Sequence, residues 1–401
     1  MAATQIVAPA PSSTLREWVI LHLSFVLIGI ITTLLGPILP YFSHTWSLTD
    51  AQAGFFFTSQ YFFSTVGVLL TSLLLPRFGF SRVCAAGFAA FTLGFLFLGL
   101  GPWICSVLMV GMNGFGYGLT NPSINLRATQ LPSKNTAAAV TFLNFSWSVG
   151  AVLCPFLVAG LVPRVHLRGF SLLITVCAAL LVAAHLSLRK ATLTAHPAHA
   201  THPLGEWIMR LRVPQAIPLL WLFLLYVGVE VALGGWVASF EKRLPGMSAA
   251  TLVIAPSVYY GALLFGRGIA PLALRHFTQL AISVSGLLIA SSGASVIAIS
   301  HSAQMLYLGS AIAGFGLAPQ YPIFVTWLAA IFHKDANWIG ALFFAVSGIG
   351  GGAIPWLVGV VSATTHSLRA GLFIPLTVSF LMIFLVLRAR PGSPSARLSP
   401  V

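Results

Sequence analysis

From about residue 17 the chain alternates between long apolar runs and short polar or basic breaks. Neither the two-residue alternation of strands nor the one-faced stripe of a soluble helix is sustained. A helix needs ~20 mainly apolar residues to cross the hydrocarbon core of a bilayer. Runs of that length predict spans near 17–42, 52–75, 82–101, 103–128, 136–161, 169–187, 216–240, 250–274, 277–299, 302–330, 336–361 and 369–389. They fall as six, a polar interruption, and six. The expected fold class is therefore an all-α membrane protein with 12 transmembrane helices in two six-helix halves. The expected units are an N-terminal tail (1–16), an N-terminal half (17–188), a linker (189–215), a C-terminal half (216–390) and a C-terminal tail (391–401).

Composition supports the pattern. Of the 401 residues 58% are hydrophobic and 6% charged, against about 25% charged in a soluble domain. So few charges cannot cover a soluble surface. The net charge of +14 could suggest nucleic acid, but Lys and Arg sit singly or in pairs between apolar runs, as topology determinants do. With both termini inside, 15 of the 20 basic residues fall on inner segments and five on outer ones; this predicts cytoplasmic termini and linker. Cys84, Cys105, Cys154 and Cys177 all lie in apolar runs and read as small hydrophobes, with neither disulfide nor metal spacing. The opening "MAATQIVAPAPSST" lacks the basic start and apolar core of a cleaved signal and reads as a disordered tail.

The halves resemble each other. "GFGYGLTNPSIN" (114–125) echoes "GFGLAPQYPIF" (314–324), and "SVGAVLCPFLVAGL" (148–161) echoes "SGIGGGAIPWLVGV" (347–360). Gly150/Gly350 and Pro155/Pro355 stand 200 positions apart. Parallel six-helix repeats joined by a cytoplasmic loop are the architecture of the major facilitator superfamily, whose substrate site lies near the midplane between the halves.

Polar residues deep in spans are the site candidates, because each must meet a partner or a wet cavity. Of six acidic residues, Glu17, Asp50, Glu206, Glu241 and Asp335 lie at span ends or in loops, and Glu230 is deep. Glu230 reads as a proton carrier or an acceptor for substrate hydroxyls, and alternatively as a polar lock between helices. Tyr226 shares its face one turn earlier. In span 4, Asn113, Tyr117, Asn121 and Asn125 recur at steps of four and stack along one side. Amides and a phenol both donate and accept, which suits polyhydroxyl ligands. Span 5 adds Thr141, Asn144 and Trp147. Gln60 and Tyr61, Tyr259 and Tyr260, and Gln320 and Tyr321 complete the set, each with a packing role as the competing reading. Aromatic faces beside amides fit a sugar ring. Trp236 reads equally as an interfacial anchor, and Arg267 as a cytoplasmic gate or topology residue. His196, His199 and His202 in "HPAHATHP" have a spacing compatible with metal, but a solvated linker is the favoured reading. No phosphate loop, zinc-binding helix or nucleophile motif occurs, so neither enzyme chemistry nor a cofactor is expected.

"GYGLTNPSIN", "TFLNFSWSVGAVLCP", "YVGVEVALGGW" and "GFGLAPQYP" together resemble the fucose–proton symporter family of the major facilitator superfamily, particularly its bacterial fucose-permease-like members. The resemblance implies a bacterial inner-membrane protein that takes up a sugar or polyol with protons. Two departures matter. The family's span 4 often has an acid where this chain has Asn121, and its span 1 acid is missing from "HLSFVLIGIITTLLGPILP". In span 5, Asn144 falls where the family has Gln or His. Glu230 is then the remaining buried candidate for coupling. The expectation is an alternating-access transporter of a small neutral solute, a sugar or polyol, with a proton as coupling ion, embedded in lipid, monomeric, and without nucleic-acid partners. A drug or metabolite exporter, an uncoupled sugar facilitator, and a sensor or membrane enzyme are the alternatives.

Overall fold

In the computed structural model, residues 11–132, 136–188, 209–247 and 254–391 are described. Most of the expected linker, the three linker histidines and most of both tails lie outside them. Thirteen α-helices are assigned among the described residues: α1 Pro11–Thr33, α2 Leu35–Trp46, α3 Asp50–Phe78, α4 Phe80–Phe97, α5 Trp103–Gln130, α6 Thr136–Leu186, α7 Ala216–Glu241, α8 Ala255–Ala273, α9 Gln279–Ile299, α10 Ala303–Leu317, α11 Gln320–Phe332, α12 Ala336–Thr365 and α13 Leu368–Ala389.

Proline explains why thirteen helices make twelve spans. A proline ring clashes with the carbonyl four residues before it. Pro37 therefore breaks the first span after Thr33, dividing α1 from α2. Pro322, with Pro319 just before it, breaks the tenth span at Ala318, dividing α10 from α11. A straight helix of 51 residues would run roughly 75 Å, more than twice the hydrocarbon thickness. Helix α6 instead breaks at His166, whose φ is 57°, and so supplies the fifth and sixth spans.

Nine of the helical segments among the described residues are long and apolar enough to cross a membrane by length and composition alone. Helices α5 and α8 are not among them. These two carry the polar stretches Asn113–Asn125 and Tyr259–Arg267, which lower their mean hydropathy. Leu, Phe and Ile side chains such as Leu69, Phe142, Leu180 and Phe384 stand on the outside, the reverse of a soluble protein. The architecture is a multi-pass membrane protein of two six-helix halves.

The internal repeat reappears in the packing. Lipid tails are as apolar as Leu, so helix association relies on close approach of backbones at small residues. Gly114 lies so near the carbonyl of Gln60, and Gly314 so near that of Tyr259, that a Cβ at either would fall within 3.0 Å. Gly150 meets the carbonyl of Val26 and Gly350 that of Leu224 in the same way. Each close contact in one half thus has a counterpart about 200 residues on.

The halves meet through α3 on α12, α2 on α7 and α6 on α8. Their contacts run from the start of α3 to its middle, where Tyr61 and Thr65 meet Gly351 and Gly348, and include the end of α7. Gly36 packs on Gly234 and Gly235, Gly54 on Trp356, and Gly359 on the backbone of Asp50. Trp236 donates its indole N–H to the carbonyl of Pro355 at 2.8 Å and is fully buried. It is an element of this seal, which corrects its reading as an interfacial anchor. An ion pair completes the closure: Arg243 donates to both carboxylate oxygens of Asp50, at 2.5 and 2.8 Å, and Ser362 donates to the same group. At the opposite end, the Glu17–Arg127 pair stays within the N-terminal half and Arg210, at the end of the linker, pairs with Asp335 of the C-terminal half, so neither joins the two halves.

Candidate functional site

The centre of the bundle is built around Glu230. Its carboxylate faces Nη2 of Arg267 at 3.4 Å, and the same nitrogen donates to the Tyr226 hydroxyl at 3.3 Å. Tyr226 stands one turn before Glu230 on α7, as the spacing predicts. Arg267 stands two turns beyond Tyr259 and Tyr260 on α8, so all three share a face. The Tyr259 hydroxyl donates to the backbone carbonyl of Glu230 at 3.2 Å and braces α7 against α8. Six of the eight tyrosines lie within electrostatic range of Glu230: Tyr61, Tyr117, Tyr226, Tyr259, Tyr260 and Tyr321. They come from α3, α5, α7, α8 and α11, and therefore from both halves.

Arg267 corrects its sequence reading. It is a central residue, not a gate at the membrane surface. Arg275 marks the inner end of this span in the sequence, and Arg267 lies eight residues before it, roughly 12 Å deeper along a helix. That offset, with the spacing from Tyr259 and Tyr260, was the available signal. The guanidinium also lies over the Trp147 ring, 5.8 Å from its centroid. Trp147 in turn donates to the Thr32 hydroxyl on α1 at 3.1 Å. The cation of one half is thereby held against an aromatic face of the other.

Three amides form a chain leading away from the pair. Asn144 donates to Oδ1 of Asn125 at 3.0 Å, and Asn125 to Oδ1 of Asn121 at 3.2 Å. Asn144 is exposed, while Asn125, Asn121 and Tyr117 are half-buried. The Glu230 and Arg267 side chains retain 15% and 27% of their exposure. The pair is therefore mostly buried without being closed off, and the amide chain ends at the exposed Asn144.

Two expected ligands are committed elsewhere. Gln320 is 0% exposed; it accepts from Ser283 at 2.6 Å and donates to the carbonyls of Ser283 and Gly316. All its hydrogen bonds run to α9 and α10, away from the ion pair. Gln60 is buried and donates to the carbonyl of Thr32, tying α3 to α1. Asn113 is likewise buried, against Gly94. Glu241 stands where the sequence places it, at a span end. It is fully buried, accepting from Tyr307 at 2.6 Å and from the backbone N–H groups of Ile254 and Ala255. It caps the start of α8. Among the described residues no group of His, Cys, Asp and Glu could hold a metal ion.

A two-halved helical bundle, tied by an ion pair at one end and carrying a partly accessible polar centre between the halves, has the build of a membrane transporter. The Major Facilitator Superfamily model matches residues 21–337, and the chain belongs to that superfamily. Over 181 residues it is 26% identical to the human sodium-dependent glucose transporter 1; the match covers 44% of this chain and 34% of that protein. The chain thus spans about a third of the curated relative it matches. Solved structures share the fold at low identity. The nucleoside transporter NupG superposes with a TM-score of 0.77 at 14% identity, covering 94% of this chain and 99% of that one. A bacterial homologue of the human lysosomal transporter Spinster, inward-facing and unoccupied, gives 0.74 at 18%, covering 96% and 100%. The E. coli fucose:proton symporter gives 0.66 at 16%, covering 95% and 100%.

Proposed function

We propose that the chain moves a small hydroxyl-bearing solute of the sugar or polyol class across the membrane by alternating access, coupled to protons through Glu230. The observation that carries this reading is the Glu230–Arg267 pair ringed by tyrosines from both halves. Phenols and amides hydrogen-bond hydroxyls in either sense, and aromatic faces accept a sugar ring. A partly accessible intramembrane carboxylate is a natural proton carrier. The similarity to a human glucose transporter and a fucose:proton symporter supports the same substrate class.

Orientation follows from charge. With Arg267 removed from the inner segments, 14 basic residues still stand against five, which favours cytoplasmic termini in a bacterial inner membrane. The Asp50–Arg243 end is then external, and the cavity opens to the cytoplasm. Rocking a monomer about the central site would break that seal and close the other end.

Proteoliposomes loaded with buffer and offered a panel of labelled sugars and polyols, with and without an inward proton gradient, test the proposal. Gradient-driven accumulation of a panel member is expected, and Glu230→Gln should abolish accumulation while sparing counterflow. If Glu230→Gln accumulates solute like wild type, coupling through this residue is refuted. One observation favours a second reading, the uncoupled facilitator: Arg267 already neutralises Glu230, so the empty site needs no proton to cross. Wild-type counterflow without any gradient-driven accumulation would select it. The same neutralisation weighs against an exporter of lipophilic cations, and protection in a resistance screen would reverse that judgement.

A further inference from the structure

We infer that the solute carries a carboxylate: it is a hydroxylated monoacid, of the aldonate or uronate kind, taken up together with one proton. This rests on the sugar-or-polyol reading and narrows it, departing from the neutral solute that the sequence alone suggested.

The first ground is the state of Arg267. A guanidinium offers five N–H donors in a planar fork. Here Nη2 makes both hydrogen bonds, to Tyr226 and Glu230, and the second is long at 3.4 Å. Nε and Nη1 have no hydrogen-bond partner among the described residues, although the side chain is only 27% exposed. The guanidinium carbon lies 5.8 Å from the Trp147 ring centroid, a contact to the aromatic face that uses none of its N–H donors. A planar fork of uncommitted donors matches the geometry of a carboxylate. A neutral sugar would need only hydroxyl partners, which the tyrosines and the Asn121–Asn125–Asn144 chain already supply.

The second ground is charge. Among the described residues the charged groups at the centre are Glu230 and Arg267; the other titratable neighbours there are Tyr61, Tyr117, Tyr226, Tyr259, Tyr260 and Tyr321, with Cys154 beside Tyr260. The empty site, with an ionised pair, is neutral. Protonating Glu230 alone leaves a net positive charge in a low-dielectric interior, and admitting an anion alone leaves a net negative one. Both are disfavoured, because uncompensated buried charge is costly. Binding the two together restores neutrality: the proton goes to a Glu230 oxygen, Arg267 leaves Glu230, and its Nη2 and a neighbouring nitrogen take the solute carboxylate. On release the proton returns to water and the pair re-forms. Only the neutral combinations are suited to reorientation, so the pair itself enforces one proton per anion. A neutral sugar on the same protein would instead carry the proton's charge across.

The test uses wild-type protein in proteoliposomes, with gluconate and galacturonate compared with sorbitol and galactose. Under an inward proton gradient, the acids should accumulate with one proton each. A potassium–valinomycin potential should leave that uptake unchanged. The neutral partners should compete at least about tenfold more weakly, as for an analogue lacking the group a polar site is built to bind. Arg267→Gln should lose acid uptake and Arg267→Lys regain part of it, with monodispersity by size-exclusion chromatography confirming folded protein. If sorbitol or galactose moves and the acids do not, or if acid uptake responds to the imposed potential, the inference falls while the sugar-or-polyol reading stands. If neither kind of solute moves, both fall. The wild-type selectivity decides the matter even if the Arg267 variants fail to fold.

Discussion

Replacing Asp50 with Asn removes one charge from the seal between the halves and should tilt the balance between the two orientations of the transporter. In the state described, Asp50 accepts two hydrogen bonds from Arg243, at 2.5 and 2.8 Å, and one from Ser362. Asp50 belongs to the N-terminal half, and both partners to the C-terminal half. Opening this end must separate them. An exposed ion pair contributes ~0–1 kcal/mol. The Asp50 side chain, however, is only 10% exposed, and hydrogen bonds to a charged group contribute ~1.5–3 kcal/mol each where water is excluded. The 43% exposure of the Arg243 side chain lowers that range. A net of about 1–2 kcal/mol remains, a factor of roughly 5–30 in the equilibrium. Asp50 also favours the start of α3, beside the Thr49–Gln52 capping box, by ~0.3–1 kcal/mol. That contribution is present in both orientations and cancels. Spin labels at exposed His44 and Thr365, one on each half at this end, would report the separation by electron–electron resonance. Asp50→Asn should populate a longer-distance component about 5–30-fold more than in wild type, and Arg243→Gln should do the same. The double variant should add little to either alone, because both remove one interaction. An unchanged distance distribution in Asp50→Asn, or fully additive shifts, would refute the latch.

Other side chains yield sharper contrasts. Gly114→Ala and Gly314→Ala each drive a Cβ into a neighbouring backbone carbonyl and should destabilise the folded protein by about 1–3 kcal/mol. Gly261→Ala, with nothing within 4 Å, should be silent in the same detergent unfolding assay. Gln320→Leu leaves the Ser283 hydroxyl without its buried acceptor; it should cost ~1–3 kcal/mol of stability with an unchanged KM for transport, whereas a substrate ligand would alter KM. Trp147→Leu removes the face that holds Arg267, a contact worth ~0.5–2 kcal/mol, and should weaken apparent solute affinity by roughly 2–30-fold in binding titrations.

The sequence by itself determined the class, the number of spans and the repeat. Hydropathy does this because a bilayer penalises every exposed polar group, so depth is written into composition. The glycines at 114 and 314, and at 150 and 350, were visible as a repeat, and each proved to be a close backbone contact. The depth of Glu230 and the shared face of Asn121 and Asn125 were also legible, since a helical period relates residues on one element. Partners across elements were not. Arg267 meets Glu230 across 37 positions, and only the packing of α8 on α7 decides that an apparent topology residue becomes the counter-ion of the site. Gln320 and Gln60 sit on helices that approach the cavity, yet each turns to a neighbour within its own half. Glu241, a span-end acid in the sequence, is buried because α8 starts against it. Spacing states which residues share a face; tertiary structure alone states what that face meets, because the choice among neighbours is made by contacts that no single helix contains.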